Sequence, residues 1–407
     1  MSNLGLVLSL AFRNLFRNVR RTIITSGAVV AGVAVLIAGW GLVDGLDENV
    51  LRAHEHALTG HVLIRPATYP TDGLTLPLDE AKALPQEMVA ALDGDERVVA
   101  WTRRTWFQGR AVSGADGMTV RAFAYDPVGE AEVFPRDEWR LRGAWPDAPG
   151  QVVVGSWLAG LLELEPGSDL VLEARTRAGA MNALSLKVTG VVATGTPTAD
   201  RVVWVPQDTA DMLIVPEGAV SHVAVKLQRR AQAEAVAQAL TSADWTATTV
   251  RHETRDLLQL NAFRRRAISV VVLILMLIAG TGIANTVIMA AYERVREIGT
   301  LRAMGMTPGG IRALFLVEGA VLGFSAGAIG ALLGSAVVTW FSVHGIDLSG
   351  VADQVGEMAM ASTLYMSFTW PPVIVALVFG TGVSVVASIY PANHAARLNP
   401  ADAVRAD

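Results

Sequence analysis

Four apolar runs, at residues 22–43, 267–291, 311–341 and 371–390, restrict what this chain can fold into more than any other feature. A helix of about 20 apolar residues crosses a bilayer core of about 30 Å, and inside that core each backbone amide and carbonyl must be satisfied within the helix itself. All other long stretches are too polar to span. Apolar residues make up 52% of the chain and charged residues 17%. Because the apolar excess is concentrated in the four runs, the chain reads as a membrane protein that carries a soluble domain. The expected layout is an N-terminal segment 1–21, a first span 22–43 and an outer domain 44–266 with stalk segments. After these come a second span 267–291, a link 292–310, a third span 311–341, a loop 342–370, a fourth span 371–390 and a tail 391–407.

Orientation follows from arginine placement, since cytoplasmic flanks hold the excess of Lys and Arg. The N-terminal flank carries Arg13, Arg17, Arg20 and Arg21; the link carries Arg294, Arg296 and Arg302; the tail carries Arg397 and Arg405. The loop 342–370 contains no Lys or Arg. Both termini and the link are therefore expected in the cytoplasm, with the large domain periplasmic at a bacterial inner membrane. Arg264, Arg265 and Arg266 dissent from this rule at the outer end of the second span. They could bind a lipid phosphate or simply be solvated. The first run is too long for a signal peptide and reads as an uncleaved anchor. The absence of cysteine excludes disulfides and acylation of an N-terminal cysteine, so the outer domain must hold by packing.

Within the outer domain, residues 61–64, 119–124, 151–154, 184–188 and 201–205 read as short strands bounded by Gly and Pro. Residues 231–240 and 157–164 read as helices. The expected fold class is a membrane protein with four transmembrane α-helices and a large extracytoplasmic α+β domain between the first and second. No internal repeat supports a solenoid.

The link is the strongest clue to function. It runs Glu293-Arg294-Val295-Arg296-Glu297-Ile298-Gly299-Thr300-Leu301-Arg302-Ala303-Met304-Gly305. At helical spacing Arg294 can meet Glu297 and Glu293 can meet Arg296, while Ile298 and Leu301 share a small apolar face suited to docking in a groove. Gly305 offers a C-terminal cap, and Thr307-Pro308 an N-cap followed by proline at the first helical position. By spacing alone, a solvated charged turn serves equally well.

With Gly282-Ile283-Ala284-Asn285-Thr286 before it and Glu318-Gly319 after it, this segment resembles the FtsX-like, or macrolide-exporter-like, permease superfamily of ABC transporters. Leu10-Ala11-Phe12-Arg13-Asn14-Leu15 with Arg20-Arg21-Thr22, and Tyr390-Pro391-Ala392 with Ala395-Ala396-Arg397 and Asn399-Pro400, extend the resemblance over nearly the whole chain. It implies that Glu293, Arg294, Arg296, Glu297, Ile298, Gly299, Leu301, Arg302 and Gly305 form a coupling helix resting on a cytosolic ATPase dimer that binds ATP and Mg. It also implies a second permease, the same chain or a relative. The outer region looks most similar to lipoprotein-releasing permeases, through Gly60-His61-Val62, Gly155-Ser156-Trp157-Leu158-Ala159, Gly167-Ser168-Asp169, and Thr194-Gly195 ahead of Asp200-Arg201. These matches indicate a shared domain design more firmly than a shared cargo.

Other residues carry further expectations. Gly319, Gly323, Gly327, Gly330 and Gly334 form a small-residue stripe that lets helices approach closely in lipid, against this chain's second or fourth span or against another permease. Glu318 lies roughly 10 Å of helical rise from the cytoplasmic start of the third span. It is expected to pair with Arg312 or the link rather than transfer protons. Trp40, Val43, Leu46 and Phe263 could line an apolar cargo entrance, although interfacial tryptophan is common without any ligand.

Enzymatic readings fare badly. Lys82, Lys187 and Lys226 are the only lysines, and none stands in a GxxxxGK[ST] phosphate loop, so ATP hydrolysis is expected from another polypeptide. His54, Glu55, His56 and His61 do not make HExxH, Gly155-Ser156-Trp157 is not a nucleophile elbow, and Asp93-Gly94-Asp95-Glu96 matches no calcium loop. No metal or cofactor is expected in this chain. The leading expectation is extraction of lipoproteins from the inner membrane, passed to a periplasmic carrier by mechanotransmission from the ATPase. Export of peptides or amphiphilic drugs through an outer-membrane channel, and signalling to a cell-wall hydrolase without transport, are the alternatives. Nothing suggests nucleic acid.

Overall fold

The computed structural model describes residues 19–71, 76–114, 116–196, 198–347 and 363–397. Arg13, Arg17, Arg405, the Leu10 to Leu15 match and Asn399-Pro400 lie outside these residues, as do most of the loop 342–370 and the tail; the side chains of Arg20 and Arg21 are likewise not described. The chain divides into two compact units. One comprises Met1–Glu48, Gln259–Ile346 and Tyr365–Asp407, the other Asn49–Leu258 and Asp347–Leu364.

The first helix among the described residues, α1 (Val19–His54), has 36 residues. At about 1.5 Å per residue it is far longer than a bilayer core of about 30 Å, so only part of it can lie in lipid. It passes into a π-helical turn, Glu55–Thr59, closed by Gly60 at φ 62°. A Cβ at Gly60 would lie 2.7 Å from the Val225 carbonyl oxygen, so both the left-handed backbone and the close approach call for glycine.

The outer unit continues in chain order through β1 (Val62–Pro66), β2 (Lys82–Ala83), α2 (Gln86–Gly94), β3 (Val98–Ser113), β4 (Asp116–Tyr125), α3 (Pro127–Val133) and β5 (Arg140–Gly143). There follow β6 (Gln151–Gly155), α4 (Ser156–Leu161), β7 (Asp169–Arg175), β8 (Met181–Ala193), β9 (Val202–Pro206) and α5 (Gln207–Leu213). The last elements are β10 (Ala219–Val220), β11 (His222–Leu227), α6 (Ala233–Leu240), β12 (Trp245–Thr249) and α7 (Val250–Glu253). Ten strands form one mixed sheet in the order β12-β1-β11-β3-β4-β9-β6-β8-β5, with β7 bridging β3 and β8. The pairs β4–β9 and β6–β8 are parallel.

Side chains alternate across a strand, so neighbouring residues serve opposite faces of the sheet. Phe107, Ala122, Ala124, Val203 and Val205 pack in an aliphatic core with Leu158, Leu170 and Leu172. Their neighbours Trp106, Phe123, Tyr125, Val202 and Trp204 pack in an aromatic core with Phe134 and Trp139. Burial on both faces explains why β9 reads as an unbroken apolar run. The strands read from sequence fall on β1, β4, β6, β8 and β9, and the two helices on α6 and α4. The longest strand, β3, escapes that reading because Arg103, Arg104 and Arg110 interrupt its apolar pattern.

The membrane unit holds α8 (Arg255–Glu293), α9 (Val295–Ala303), α10 (Pro308–His344) and α11 (Trp370–Ala396). With α1, the three long ones make, among the described residues, four helices long and apolar enough to cross a membrane. One shared core joins Val29, Val33 and Ile37 of α1 to Met276 and Ile283 of α8, Phe315 and Ala326 of α10, and Ala376 and Ala392 of α11.

Candidate functional site

The link folds as a separate short helix. Arg294, at φ −115°, breaks the long α8 helix, and α9 begins at the next residue. At its other end the Met306 amide donates to Leu301 O and the Gly305 amide to Arg302 O, each at 3.0 Å. With Gly305 at φ 97°, this is the paired closing arrangement of a Schellman cap. Thr307 Oγ1 then accepts from the Gly310 amide at 3.2 Å, with Pro308 at the first position of α10. Stop and restart are thus written in two adjacent caps.

The faces of α9 differ from the sequence expectation in one respect. Ile298 and Gly299 are buried and Leu301 is partly buried in the core of the membrane unit. The apolar face is therefore turned inward against the chain's own spans and is not free to dock elsewhere. An apolar stripe of two residues is covered by whichever apolar surface lies nearest, and here the stripe belongs to the same buried core as Ile311 of α10 and Ala392 and Ala395 of α11. The outward face carries Arg296, Glu297 and Thr300, flanked by exposed Glu293 at the end of α8 and Met304 just past α9.

Charged groups hold α9 in place. Arg294 Nη1 lies 3.5 Å from Glu318 Oε2, with both side chains about nine-tenths buried, so the intramembrane glutamate pairs with the link. Arg302 Nη1 donates to Ala396 O at 3.4 Å, and Tyr292 Oη lies 3.2 Å from His394 Nε2. The last turn of α11 is thereby tied to both sides of the link.

The glycine stripe of α10 serves two neighbours in succession. A Cβ at Gly319 would collide with Ser388 Oγ, one at Gly323 would lie 2.5 Å from Ser384 Cβ, and one at Gly327 would lie 3.2 Å from Leu377 Cδ1, all on α11. Farther along, a Cβ at Gly330 would lie 2.6 Å from Val30 O, and one at Gly334 would lie 3.0 Å from Ala34 Cα, both on α1. The stripe thus seats the fourth and first spans, not the second, because α10 crosses from one to the other along its length. Ser384 and Ser388 return their hydroxyls to Gly380 O and Ser384 O, so both are satisfied within their own helix.

Two family models cover nearly all of this architecture. The MacB-like periplasmic core domain matches residues 22–243, and the FtsX-like permease C-terminal domain matches residues 269–400. The chain belongs to the FtsX/MacB-type permease superfamily of ABC transporters. A MacB macrolide export ATP-binding/permease protein of Sodalis glossinidius is 23% identical over 95% of this chain and 58% of its own length. One of Neisseria meningitidis is 27% identical over 51% of this chain and 31% of its own. An uncharacterised ABC transporter permease of Methanocaldococcus jannaschii is 29% identical over 32% of this chain and 30% of its own. This permease therefore spans little more than half the length of the first of these curated relatives. Among solved structures, the periplasmic region of MacB from Actinobacillus actinomycetemcomitans aligns over 51% of this chain and 97% of its own, at 13% identity and TM-score 0.36.

In this MacB-type permease the outer ends of the first two spans carry a polar network. Arg265 pairs with Asp44, and with Asp47 at 3.4 Å. Asn261 Nδ2 donates to Asp47 at 2.8 Å and Arg264 Nη1 to Asn261 Oδ1 at 2.8 Å. Two of the three arginines that dissent from the positive-inside rule thus have protein partners, and the signal was available in Asp44 and Asp47 at the end of the first run. Trp40 Nε1 donates to Ser269 Oγ at 3.2 Å beside a groove of 540 Å³ that Arg265 and Arg266 also line. Of the residues expected at a cargo entrance, Trp40 lines this groove. Val43 is buried, Leu46 lies half-buried outside it, and Phe263 is 71% exposed away from its lining.

The outer-domain motifs meet in packing knots. Gly155 abuts the backbone of Asp200 closely enough that a Cβ would collide with it. The buried Asp200 carboxylate accepts from Thr194 N at 2.7 Å and Thr194 Oγ1 at 2.8 Å. Burial nevertheless raises its pKa, with these bonds opposing. His61 Nδ1 accepts from the Leu227 amide at 2.9 Å, which leaves Nε2–H to donate to Glu55 at 2.7 Å. Glu55 is also bound by Arg230, while His54 bonds Val50 O and His56 bonds Glu138. These histidines have separate partners, and among the described residues no group of three potential metal ligands gathers.

Sequence reasoning missed Arg104. It is fully buried beside Glu130, to which its Nε donates at 3.1 Å, and its Nη1 donates to Ala57 O at 3.0 Å and Leu58 O at 2.9 Å in the π-helical turn. Its guanidinium lies 4.0 Å from the ring centre of Phe134 and 4.5 Å from that of Phe123. The planar fork and ring stacking are arginine properties that lysine would not reproduce.

Proposed function

We propose that this chain is the force-receiving permease of an ATP-driven exporter of amphiphilic compounds. Its outward face at Glu293, Arg296 and Glu297 would rest on an ATPase that binds ATP and Mg, and its outer domain would act on cargo on the far side of the membrane. The observation that carries this reading is the construction of α9, fixed by two caps, by Arg294–Glu318 and by Arg302 to Ala396 O, with its charged face left outward. A displacement of such a helix passes to α10 and α11, because it shares their core and is bound to both. The ATPase, a second permease, the cytoplasmic placement of the link and the cargo class are parts of this proposal. Relatives named for macrolide export support the amphiphile as cargo.

Lipoprotein extraction is a second reading, favoured by the groove at Trp40, Arg265 and Arg266, where an acyl chain could meet a polar interface. Extraction must overcome about 0.8 kcal/mol per buried CH₂, a load suited to ATP-driven work. Mild extraction at native expression level, followed by mass spectrometry of intact complexes, tests both readings. An ATPase with a channel or adaptor protein supports export, and an ATPase with acylated protein supports extraction. Recovery of the chain without any ATPase would contradict both.

A further inference from the structure

The second span carries an amide where a bilayer has no water to receive it. Between Arg266 and Glu293, α8 rises about 40 Å and holds no Asp, Glu, Lys or Arg. Asn285 lies about 12 Å from the Glu293 end, which places it inside a hydrocarbon core of about 30 Å. Its side chain is nevertheless exposed. It falls on one helix face, at spacings of three and four, with Ile274, Ile278, Thr281, Met289 and Tyr292, all of them exposed. The hydroxyls of Thr281 and Thr286 are returned to Ile278 O and Gly282 O, at 2.7 and 2.8 Å. A primary amide has two N–H donors and two acceptor lone pairs, and a single helix satisfies only part of that capacity. Leaving the rest against lipid is costly. The exposed positions Val375, Val378 and Val386 of α11 are, by contrast, aliphatic.

Beside this amide there is room for another helix. A Cβ at Gly282, one turn from Asn285, would meet nothing within 4 Å, and neither would one at Gly27 of α1. Gly32 and Gly39 of α1 abut Met276 and Ile268 of α8, so the two helices run antiparallel and Gly27 lies at about the depth of Thr281. Small residues with open space above them let a further backbone approach closely. The amide indicates whose backbone that is. Two copies inserted in the same direction are related by a two-fold axis along the membrane normal, which brings each residue of a shared helix to the depth of its counterpart. Asn285 then meets Asn285 of the second copy. An amide donates and accepts at once, so it is complementary to itself, as a carboxylate or a guanidinium is not.

We propose that the face of α8 from Ile274 to Tyr292 seats the same face of a second copy of this chain, with the two Asn285 amides hydrogen-bonded across the interface and Gly282 letting the helices close. The face is about 27 Å long, nearly the depth of the bilayer core. This inference rests on the second permease of the reading above; it names that permease as this chain and its seat as α8.

The absence of cysteine makes single-cysteine variants unambiguous. The test oxidises the full chain, purified without any ATPase and reconstituted in vesicles of phosphatidylethanolamine and phosphatidylglycerol, with copper phenanthroline. Thr281→Cys and Met289→Cys should give disulfide-linked dimers, whereas Val337→Cys on α10 and Val378→Cys on α11, also exposed positions, should not. Adding Asn285→Leu to Thr281→Cys should weaken association about three- to tenfold, read as the shift in protein-to-lipid ratio at half-maximal cross-linking. Cross-linking from neither α8 position, equal cross-linking from α10 or α11, or undiminished association of the Asn285→Leu variant would each overturn the proposal. If a related permease were the true occupant, the purified chain would stay monomeric, which is the first of these outcomes. An ATPase docked on a monomeric chain would leave the transport reading standing while this interface fell.

Discussion

In the outer unit the largest fully buried side chains are Trp204, Arg104, Tyr125, Phe107 and Phe123, whereas the tightest seams of the membrane unit are made where side chains are missing, at Gly319, Gly323, Gly330 and Gly334. The difference follows from the solvent each unit excludes. In water, burying aromatic surface is itself favourable, at about 25 cal/mol per Å², so bulk is an asset. In lipid the surroundings are as apolar as the helix, and association depends on close packing between backbones. The two units also treat charge differently. Arg104 is enclosed with Glu130 among aromatic rings, while Arg294 and Glu318 join a short helix to a span.

The sharpest way to break this contrast is Arg104→Met. It strands Glu130 in an apolar core and frees the Ala57 and Leu58 carbonyls, and should cost the outer unit about 3–5 kcal/mol, read by denaturant unfolding followed through tryptophan fluorescence. The double variant Arg104→Met with Glu130→Met should recover much of that loss. A neutral single variant would mean that the buried pair does not organise the aromatic core. The membrane counterpart is Gly323→Leu, which drives a side chain into Ser384. It should destabilise by about 1–3 kcal/mol or more, measured as thermal unfolding in nanodiscs. Gly327→Ala presses closely only on the side-chain tip of Leu377, whose backbone lies at ordinary contact distance, and should cost far less.

A third test separates the units by pH. In the folded outer unit His222 stays neutral down to about pH 3, while in the unfolded chain a histidine protonates near pH 6.5. Its folded pKa is depressed, so the unfolded state binds the extra proton, and stability falls as pH drops from about 6.5 towards 3. At pH 5 this amounts to about 2 kcal/mol. His222→Gln should flatten that part of the stability profile, and an unchanged slope would show that the ring is accessible to protons.

What could be read from the sequence follows the same division. Spans, the α+β class and five of the strands were legible because apolar periodicity is a local signal. The caps at Gly305 and Thr307-Pro308 were legible because each is written in two adjacent residues. The direction in which Ile298 faces was not, since spacing shows that an apolar stripe exists but not what covers it. Nor could the partners of the glycine stripe be read, because they lie on α1 and α11, far away in sequence. Arg104 was hidden for the converse reason: an arginine in a strand reads as exposed unless its distant carboxylate and carbonyls are known.

The smallest expected effect on stability belongs to the central claim. Glu293→Ala with Glu297→Ala alters exposed positions at the end of α8 and on α9 and should change unfolding by no more than about 0.5 kcal/mol. Hydrolysis of ATP by the copurified ATPase, reconstituted with this chain in vesicles, is the direct measurement. The double variant should fold and insert normally yet weaken ATPase docking about tenfold or more, with loss of permease-dependent stimulation. Unchanged docking and stimulation would contradict the assignment of the outward face of α9 as the coupling surface.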